Sequence, residues 1–267
     1  VWAIRPKNAL VAVPTFAEYQ LALNACGCHV EQFMMKEEQD FTLTEEFLSC
    51  IRPETDLVFL CNPNNPTGQL IDRKLLERIL VRCAACGTML VVDECFVEFL
   101  DNPSEVSLAG VSASQPSLVR LCAFTKTYAM AGLRLGWLCC ADPALIEALY
   151  RSGQPWAVSN VAQAAGIAAL QEKEYLASVR NLVMRERPRM QTAFQKMGIK
   201  AIGSANFLFF TAPVKNFCQQ MEQQGILVRN CENYPGLAAG DCRVAVRTPQ
   251  ENDRLLAACA RVLEGSR

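Results

Sequence analysis

The sequence has a single histidine, and this scarcity argues against several kinds of site. With His29 as its one imidazole, the chain has too few histidines for a catalytic triad or a His-rich zinc site. The net charge is −1 over 267 residues, which gives no electrostatic reason to expect nucleic acid or an anionic membrane surface as a partner. No apolar run has the length of a transmembrane helix, and no signal peptide is visible. We therefore expect a cytoplasmic protein that binds neither nucleic acid nor membrane.

Cysteine, by contrast, is abundant, with 14 residues. In a chain of this size these cysteines indicate reduced, mostly buried thiols rather than a disulfide framework. Cys83 and Cys86 form a C-x-x-C pair, but the pair closes a helical pattern and has no second pair at zinc spacing. We expect no metal at this pair or elsewhere.

The order of strand and helix patterns predicts an α/β protein with two lobes. At 267 residues and 51% hydrophobic content, the chain can bury a sizeable core. Strand and helix patterns alternate up to about residue 140, which favours a mostly parallel sheet covered by helices. A long helical pattern over residues 172–197 then leads to a smaller lobe. We expect a large domain over residues 1–155, and connecting helices with a small α+β domain over residues 156–267.

The predicted elements are as follows. Strands are expected at residues 9–13, 30–34, 57–61, 89–93, 118–123 and 135–140, and helices at 15–25, 42–51 and 72–85. Thr42 and Glu45 have the spacing of a capping box. The smaller lobe is expected to hold strands at 206–211, 226–229 and 243–247 and a closing helix at 249–264.

One lysine follows an apolar strand pattern directly. The run from Leu118 to Phe124 leads to Lys126, and Arg134 follows eight residues later between two glycines. A lysine that is desolvated at a strand end is easier to deprotonate and can form a Schiff base with an aldehyde. The alternative is an ordinary surface lysine in a loop.

Two further strand patterns end in polar groups. The run over residues 57–61 precedes a dense Asn-Pro turn that contains Asn65, and the run over residues 89–93 ends at Asp93. A carboxylate there needs a cationic partner or hydrogen-bond donors. In parallel α/β sheets, ligands bind at the carboxyl ends of the strands. An amide, a carboxylate and a lysine at such ends suit pyridoxal 5′-phosphate (PLP), whose ring nitrogen needs an acid and whose aldehyde needs an amine.

These segments resemble the fold-type I, aspartate-aminotransferase-like family of PLP enzymes. The resemblance implies that Lys126 is the Schiff-base lysine, that Asp93 pairs with the pyridinium nitrogen, and that Asn65 bonds the ring hydroxyl. It implies that Arg134 and Thr125 bind the cofactor phosphate and that Phe16 stacks on the ring, although Phe16 is equally well explained as a core residue. It also implies a homodimer with shared active sites.

The chain departs from the family pattern in two places. Many members have a tyrosine three residues after the aspartate, where this chain has Phe96. The family also has an N-terminal segment with a Gly-rich loop that holds the cofactor phosphate, and we find no such loop in this chain, which begins at Val1. We therefore interpret the sequence as short at its N-terminus and expect it to bind PLP weakly.

Three arginines in the C-terminal part suggest an anionic substrate. Arg229, Arg243 and Arg247 alternate with apolar residues on strand-like runs, and positions 243 and 247 share a face by period two. Arginine is suited to bidentate binding of carboxylate and phosphate. The alternative is ion pairing with surface acids.

The segments over residues 154–160 and 226–237, with the Arg-Val-Ala-Val-Arg run at 243–247, resemble one branch of the family. This branch comprises the decarboxylases of L-threonine-O-3-phosphate in cobalamin biosynthesis and, more broadly, the histidinol-phosphate aminotransferases. The resemblance implies that Arg243 binds the substrate α-carboxylate and Arg229 the substrate phosphate, with Arg247 and Asn160 as weaker candidates. Decarboxylation is the favoured reaction and transamination the alternative. A PLP-binding regulatory domain and a non-enzymatic scaffold stay open.

Overall fold

A six-stranded sheet forms the centre of the larger lobe. The computed structural model describes residues 1–265, and its first six strands are β1 Asn8–Val13, β2 His29–Met34, β3 Leu57–Cys61, β4 Met89–Asp93, β5 Leu118–Ala123 and β6 Gly136–Cys140. Their order across the sheet is β2-β1-β3-β4-β5-β6. The first five strands run parallel and β6 is antiparallel to β5. The predicted α/β class, with a mostly parallel sheet, is confirmed.

Helices connect these strands. They are α1 Glu18–Ala25, α2 Phe47–Cys50, α3 Arg73–Cys86, α4 Pro103–Val106, α5 Ala109–Ser112, α6 Phe124–Thr127 and α7 Pro143–Ser152. Helix α3 has both a start and an end signal, because Asp72 accepts a hydrogen bond from the Leu75 N–H at 3.0 Å and Gly87 ends the helix with φ of 71°. These are the usual signals of a helix start and a helix end.

The prediction of a helix over residues 42–51 is wrong for its first half. Only α2 is helical there, and the predicted capping box at Thr42 and Glu45 does not form. Phe41 has a positive φ of 54° and is buried in the core together with Leu43. Burial of these two side chains in a turn therefore overrides the local helix signal.

The prediction that a helix begins at residue 15 is also wrong. Helix α1 begins at Glu18, because Thr15 is buried and its hydroxyl donates to the Asn64 side chain at 2.9 Å. The loop before α1 is thus attached to the turn after β3.

The smaller lobe contains a three-stranded antiparallel sheet. Its strands are β7 Phe207–Thr211, β8 Arg229–Asn230 and β9 Asp241–Ala245, in the order β7-β9-β8. The accompanying helices are α8 Asn160–Gln171, α9 Lys173–Lys196, α10 Phe217–Gln223 and α11 Pro249–Glu264. Arg247 lies beyond the end of β9, so the prediction that Arg243 and Arg247 share a strand face is wrong. The domain division at residues 155 and 156 stays a proposal, and residues 266–267 of its second part lie outside the described residues.

The two lobes share a hydrophobic core. Alternate strand residues face opposite sides of the sheet, and one side joins Leu10, Leu60 and Val92 to Phe209 and Tyr234 of the smaller lobe. Helix α9 also contacts both lobes, since Arg180 pairs with Glu98 and Arg189 with Asp253. The smaller lobe is thereby held against the larger one.

A buried ion pair lies beside the end of β4. The Arg120 guanidinium contacts the Glu94 carboxylate at 2.8 Å, and that carboxylate also accepts from the Ser107 hydroxyl at 2.6 Å and from the Leu108 N–H at 2.8 Å. Glu94 is 1% exposed. The negative charge of Glu94 is therefore balanced by the Arg120 guanidinium and by these two hydrogen-bond donors.

Replacement of Arg120 by methionine is expected to lower the free energy of unfolding by roughly 3–5 kcal/mol, because it leaves a buried carboxylate without its cation. Urea denaturation measures the change. The matched control is Arg52→Met, which removes an exposed pair with Glu31 and is expected to lose less than about 1 kcal/mol. A loss of similar size in both variants would contradict the assigned role of the buried pair.

Candidate active site

Three neighbouring strand ends meet at one edge of the large sheet. Asp93 closes β4 and pairs in register with Cys61 of β3 and Leu121 of β5. Asn65 lies four residues beyond Cys61, and Lys126 lies three residues beyond Ala123. Because the three strands are parallel, their carboxyl ends lie side by side. The fold therefore places the amide, the carboxylate and the lysine at the same edge.

The Asp93 carboxylate is held through both of its oxygens. The Tyr19 hydroxyl donates to Oδ2 at 2.6 Å, and the Cys95 N–H donates to Oδ1 at 2.9 Å. Together with Phe16 and Tyr19, Asp93 lines a cavity of about 370 Å³. A carboxylate has about four lone-pair positions, so Asp93 retains acceptor capacity for a cationic group.

Lys126 is exposed, contrary to the expected desolvation. It lies in the one-turn helix α6, which directs the chain away from the buried strand. Its Nζ lies 5.8 Å from the centroid of the Phe96 ring, a distance compatible with a cation–π contact. Both residues line a cavity of about 570 Å³, so the amine is open to a ligand.

Asn65 joins the strand ends to the smaller lobe. The Arg243 guanidinium donates to Asn65 Oδ1, which leaves the amide Nδ2 as a donor for a further group. The neighbouring Asn64 donates to the Pro14 carbonyl and to the Thr67 hydroxyl, each at 2.9 Å. These bonds fix the turn that presents Asn65.

The three predicted arginines line the same cavity as Lys126. Arg243 lies over the Phe207 ring at 5.1 Å, and Arg229 over the Tyr234 ring at 5.5 Å. Within residues 1–265, neither Arg229 nor Arg243 has a carboxylate within 4.0 Å, whereas Arg247 pairs with Glu251 at 2.9 Å. Surface ion pairing thus describes Arg247 but not the other two. The cavity therefore presents two guanidinium groups without carboxylate partners, and such groups can bind an anion.

Of the remaining predicted residues, Arg134, Thr125 and Asn160 line neither cavity, whereas Phe16 lines the smaller one. Arg134 is exposed, and its guanidinium donates to the Ala131 carbonyl at 2.9 Å. Thr125 precedes Lys126 in α6, and Asn160 is the exposed first residue of α8. Phe16 is partly exposed, with its ring edge-on to Tyr19. Their assigned roles stay predictions.

Among the cavity residues that were not predicted as site residues are Tyr19, Arg254 and Asn206. Tyr19 lies three residues after Phe16, and this spacing was available in the sequence. Arg254 of α11 lines the larger cavity, but an arginine on a polar helix face gives no distinguishing signal. Asn206 also lines it, and its Oδ1 is buried without a hydrogen-bond partner.

Other classes of site find no support in the part of the chain that the structure describes. Residues 1–265 contain no group of three or more His, Cys, Asp or Glu side chains that could hold a metal. Among the helices of the same residues, none combines the length and apolar composition needed to cross a bilayer. Cys83 and Cys86 are free thiols, and burial raises the pKa of Cys83 to about 12, which makes it unreactive.

The residues at the strand ends fit PLP chemically. Asp93 offers an anionic acceptor of the kind that a protonated ring nitrogen needs, and Asn65 has a free amide donor for the ring oxygen. Lys126 offers an open amine at the adjacent strand end, and Phe16 offers an aromatic face. These groups come from four separate chain segments that the sheet brings together.

Comparisons with known proteins agree with this chemistry. The family model described as aminotransferase class I and II matches residues 2–259. Threonine-phosphate decarboxylase of Salmonella typhimurium is 36% identical over 266 residues, which cover 98% of this chain and 72% of that protein. Histidinol-phosphate aminotransferase 1 of Archaeoglobus fulgidus is 30% identical over 257 residues, or 96% and 76%. The crystal structure of histidinol-phosphate aminotransferase from Clostridium acetobutylicum matches with a TM-score of 0.93 at 26% identity, covering 98% of this chain and 80% of that chain.

Proposed function

We propose, because this chain belongs to the family of class I and II aminotransferases, that it decarboxylates L-threonine-O-3-phosphate in cobalamin biosynthesis. The product would be (R)-1-amino-2-propanol O-phosphate. The cofactor is PLP, which the family uses. The observation that carries the proposal is the pair Arg229 and Arg243, which line the cavity of Lys126 without carboxylate partners among the described residues. A substrate with both a carboxylate and a phosphate would satisfy both arginines.

Each residue has a definite task in this proposal. Bound PLP withdraws electrons from the substrate α-carbon, so that a bond at that carbon can break. Lys126 supplies the amine that holds the cofactor aldehyde and later carries a proton to the α-carbon. Asp93 would accept a hydrogen bond from the ring nitrogen and so keep that nitrogen protonated.

The arginines would decide which bond breaks. Arg243 is assigned to the α-carboxylate and Arg229 to the phosphate, so that the two ends of the substrate are fixed while its α-carbon lies near Lys126. Bound PLP would allow the α-carbon to lose either carbon dioxide or a proton, and the grip of Arg229 and Arg243 on the substrate would select between decarboxylation and transamination. Placement within a fraction of an ångström therefore selects the reaction.

Transamination of a phosphorylated substrate such as histidinol phosphate is the second candidate. The histidinol-phosphate aminotransferase relatives favour it, because they share the family and the fold. The same phosphate-binding Arg229 would serve this substrate, which lacks an α-carboxylate. The two candidates thus differ in the use of Arg243, which would bind the α-carboxylate of L-threonine-O-3-phosphate but would find no such group on histidinol phosphate.

We further propose a cytoplasmic homodimer that binds neither nucleic acid nor membrane. All 14 cysteines are free thiols, in keeping with a reducing compartment. Large apolar side chains are exposed over β6, α7, α8 and the loop between the helices, including Tyr150 at 84% and Trp156 at 96%. Such exposure is typical of an interface, and sedimentation equilibrium against the chain mass of 29.5 kDa tests it.

The protein with PLP is expected to release carbon dioxide from L-threonine-O-3-phosphate and to form no glutamate from histidinol phosphate and 2-oxoglutarate. Both reactions are followed on the same preparation, with L-threonine as the control that lacks the phosphate. Glutamate formation without carbon dioxide release would contradict the decarboxylase proposal and establish the second candidate.

A further inference from the structure

The side chain of Tyr19 places a hydroxyl inside the core of the large lobe. Tyr19 is 6% exposed, and its hydroxyl contacts Asp93 Oδ2 at 2.6 Å. Burial of a hydroxyl is unfavourable unless it is hydrogen-bonded, and a bond to an ionised acceptor is among the stronger ones. The hydroxyl is therefore directed at the carboxylate that is assigned to the cofactor ring.

Two aromatic contacts fix the position of the Tyr19 ring. It stacks on Phe59 with centroids 4.2 Å apart and an interplanar angle of 17°. It also meets Phe16 edge-on at 5.5 Å and 80°. A phenylalanine ring could make both contacts equally well. Packing thus accounts for the ring of Tyr19 but not for its hydroxyl.

The surroundings keep the hydroxyl protonated. Burial, followed by the neighbouring Cys61 and Asp93, raises the pKa of Tyr19 well above its usual value. Burial also raises the pKa values of the Cys61, Cys95 and Cys122 thiols, each of which interacts electrostatically with Asp93. These groups are therefore neutral, and Tyr19 acts only as a donor to the carboxylate.

We propose that Tyr19 is a positioning residue of the cofactor site, whose hydroxyl holds the Asp93 carboxylate in the orientation that meets the ring nitrogen of PLP. The Cys95 N–H holds the other oxygen, so the two bonds together fix the carboxylate plane. This inference rests on the proposed role of Asp93. Its consequence is that the Tyr19 hydroxyl contributes to cofactor binding only when the cofactor has a ring nitrogen.

The test compares PLP with its 1-deaza analogue, in which a carbon replaces the ring nitrogen. Tyr19→Phe keeps the ring contacts and removes the hydroxyl. It is expected to raise the Kd of PLP about 10-fold, the lower end of the effect of losing an outer partner that orients a binding side chain, and the Kd of the analogue less than about 2-fold. Titration of the apo protein by absorbance gives both constants. Tyr128→Phe, whose ring stacks on Tyr175, is the control and should change neither.

Two further variants separate the possible failures. Asp93→Asn should raise the Kd of PLP far more than the Kd of the analogue. An equal rise in both constants would show that Asp93 is not the ring-nitrogen partner. If Asp93→Asn discriminates and Tyr19→Phe affects both ligands equally, Tyr19 is only structural and the inference is overturned. Tyr19→His keeps a hydrogen-bond donor, so the ratio of the two Kd values should return to within about 3-fold of the wild-type ratio. A ratio that stays at the Tyr19→Phe value would also count against a donor role.

Discussion

Replacement of Lys126 by alanine is expected to abolish the visible absorption that PLP shows when it is covalently bound to a lysine, and to lower carbon dioxide release by at least ~10³-fold. The reason is that this side chain supplies both the amine for the cofactor aldehyde and the proton for the α-carbon. Among the described residues, it is the lysine that lines the cavity with Arg229 and Arg243. Absorbance spectra and single-turnover assays of the same preparation measure the two effects.

The matched control is Lys200→Ala. Lys200 is exposed, pairs with Asp40, and lies outside the cavity lined by Lys126. Its replacement should leave both the spectrum and the rate unchanged. An absorption band that survives in Lys126→Ala would remove Lys126 from its assigned role.

Replacement of Arg229 by alanine is expected to lower kcat/KM for L-threonine-O-3-phosphate by ~10- to 100-fold, since hydrogen bonds to charged groups contribute roughly 1.5–3 kcal/mol. Any residual turnover of L-threonine, which lacks the phosphate, should fall less than about 3-fold. Arg243→Ala should instead lower kcat/KM for both substrates, because both have the α-carboxylate. The two variants thus distinguish the two ends of the substrate.

Arg261→Ala is the control for this pair. Arg261 lies on α11 and bonds to Gln224 at 3.0 Å, outside the cavity, so both kcat/KM values should stay at the wild-type level. Equal losses on the two substrates in Arg229→Ala would contradict the assignment of Arg229 to the phosphate.

The sequence indicated the sheet and the strand-end residues because their signals are local. The buried strands at 57–61, 89–93 and 118–123 were predicted with the bounds that the structure has. Parallel pairing then placed Asn65, Asp93 and Lys126 at one edge without any knowledge of side-chain contacts. The family and the cofactor followed from the same three positions and are confirmed by the family match.

Features that depend on tertiary contacts were missed or misjudged. Lys126 was expected to be desolvated, but one turn of helix carries it into an open cavity. The helix expected at Thr42 is replaced by a turn because Phe41 and Leu43 enter the core. Periodicity along a chain does not encode such contacts.

The arginines of the smaller lobe show the same limit. Arg243 and Arg247 were expected on one strand face, yet β9 ends at Ala245. Both still line the cavity, because the chain after β9 passes along it before α11. The residue types were therefore informative, whereas the assumed strand register was not. Tyr19 could have been predicted from the sequence, since it lies three residues from Phe16.

The central claim is that the strand ends form a PLP site in which Lys126 supplies the amine. The most direct measurement is borohydride reduction of the PLP-loaded protein, followed by proteolysis and mass mapping of the labelled peptide. Pyridoxyl label on Lys126 is the predicted result. Label on another lysine, with Lys126 unmodified, would contradict the account.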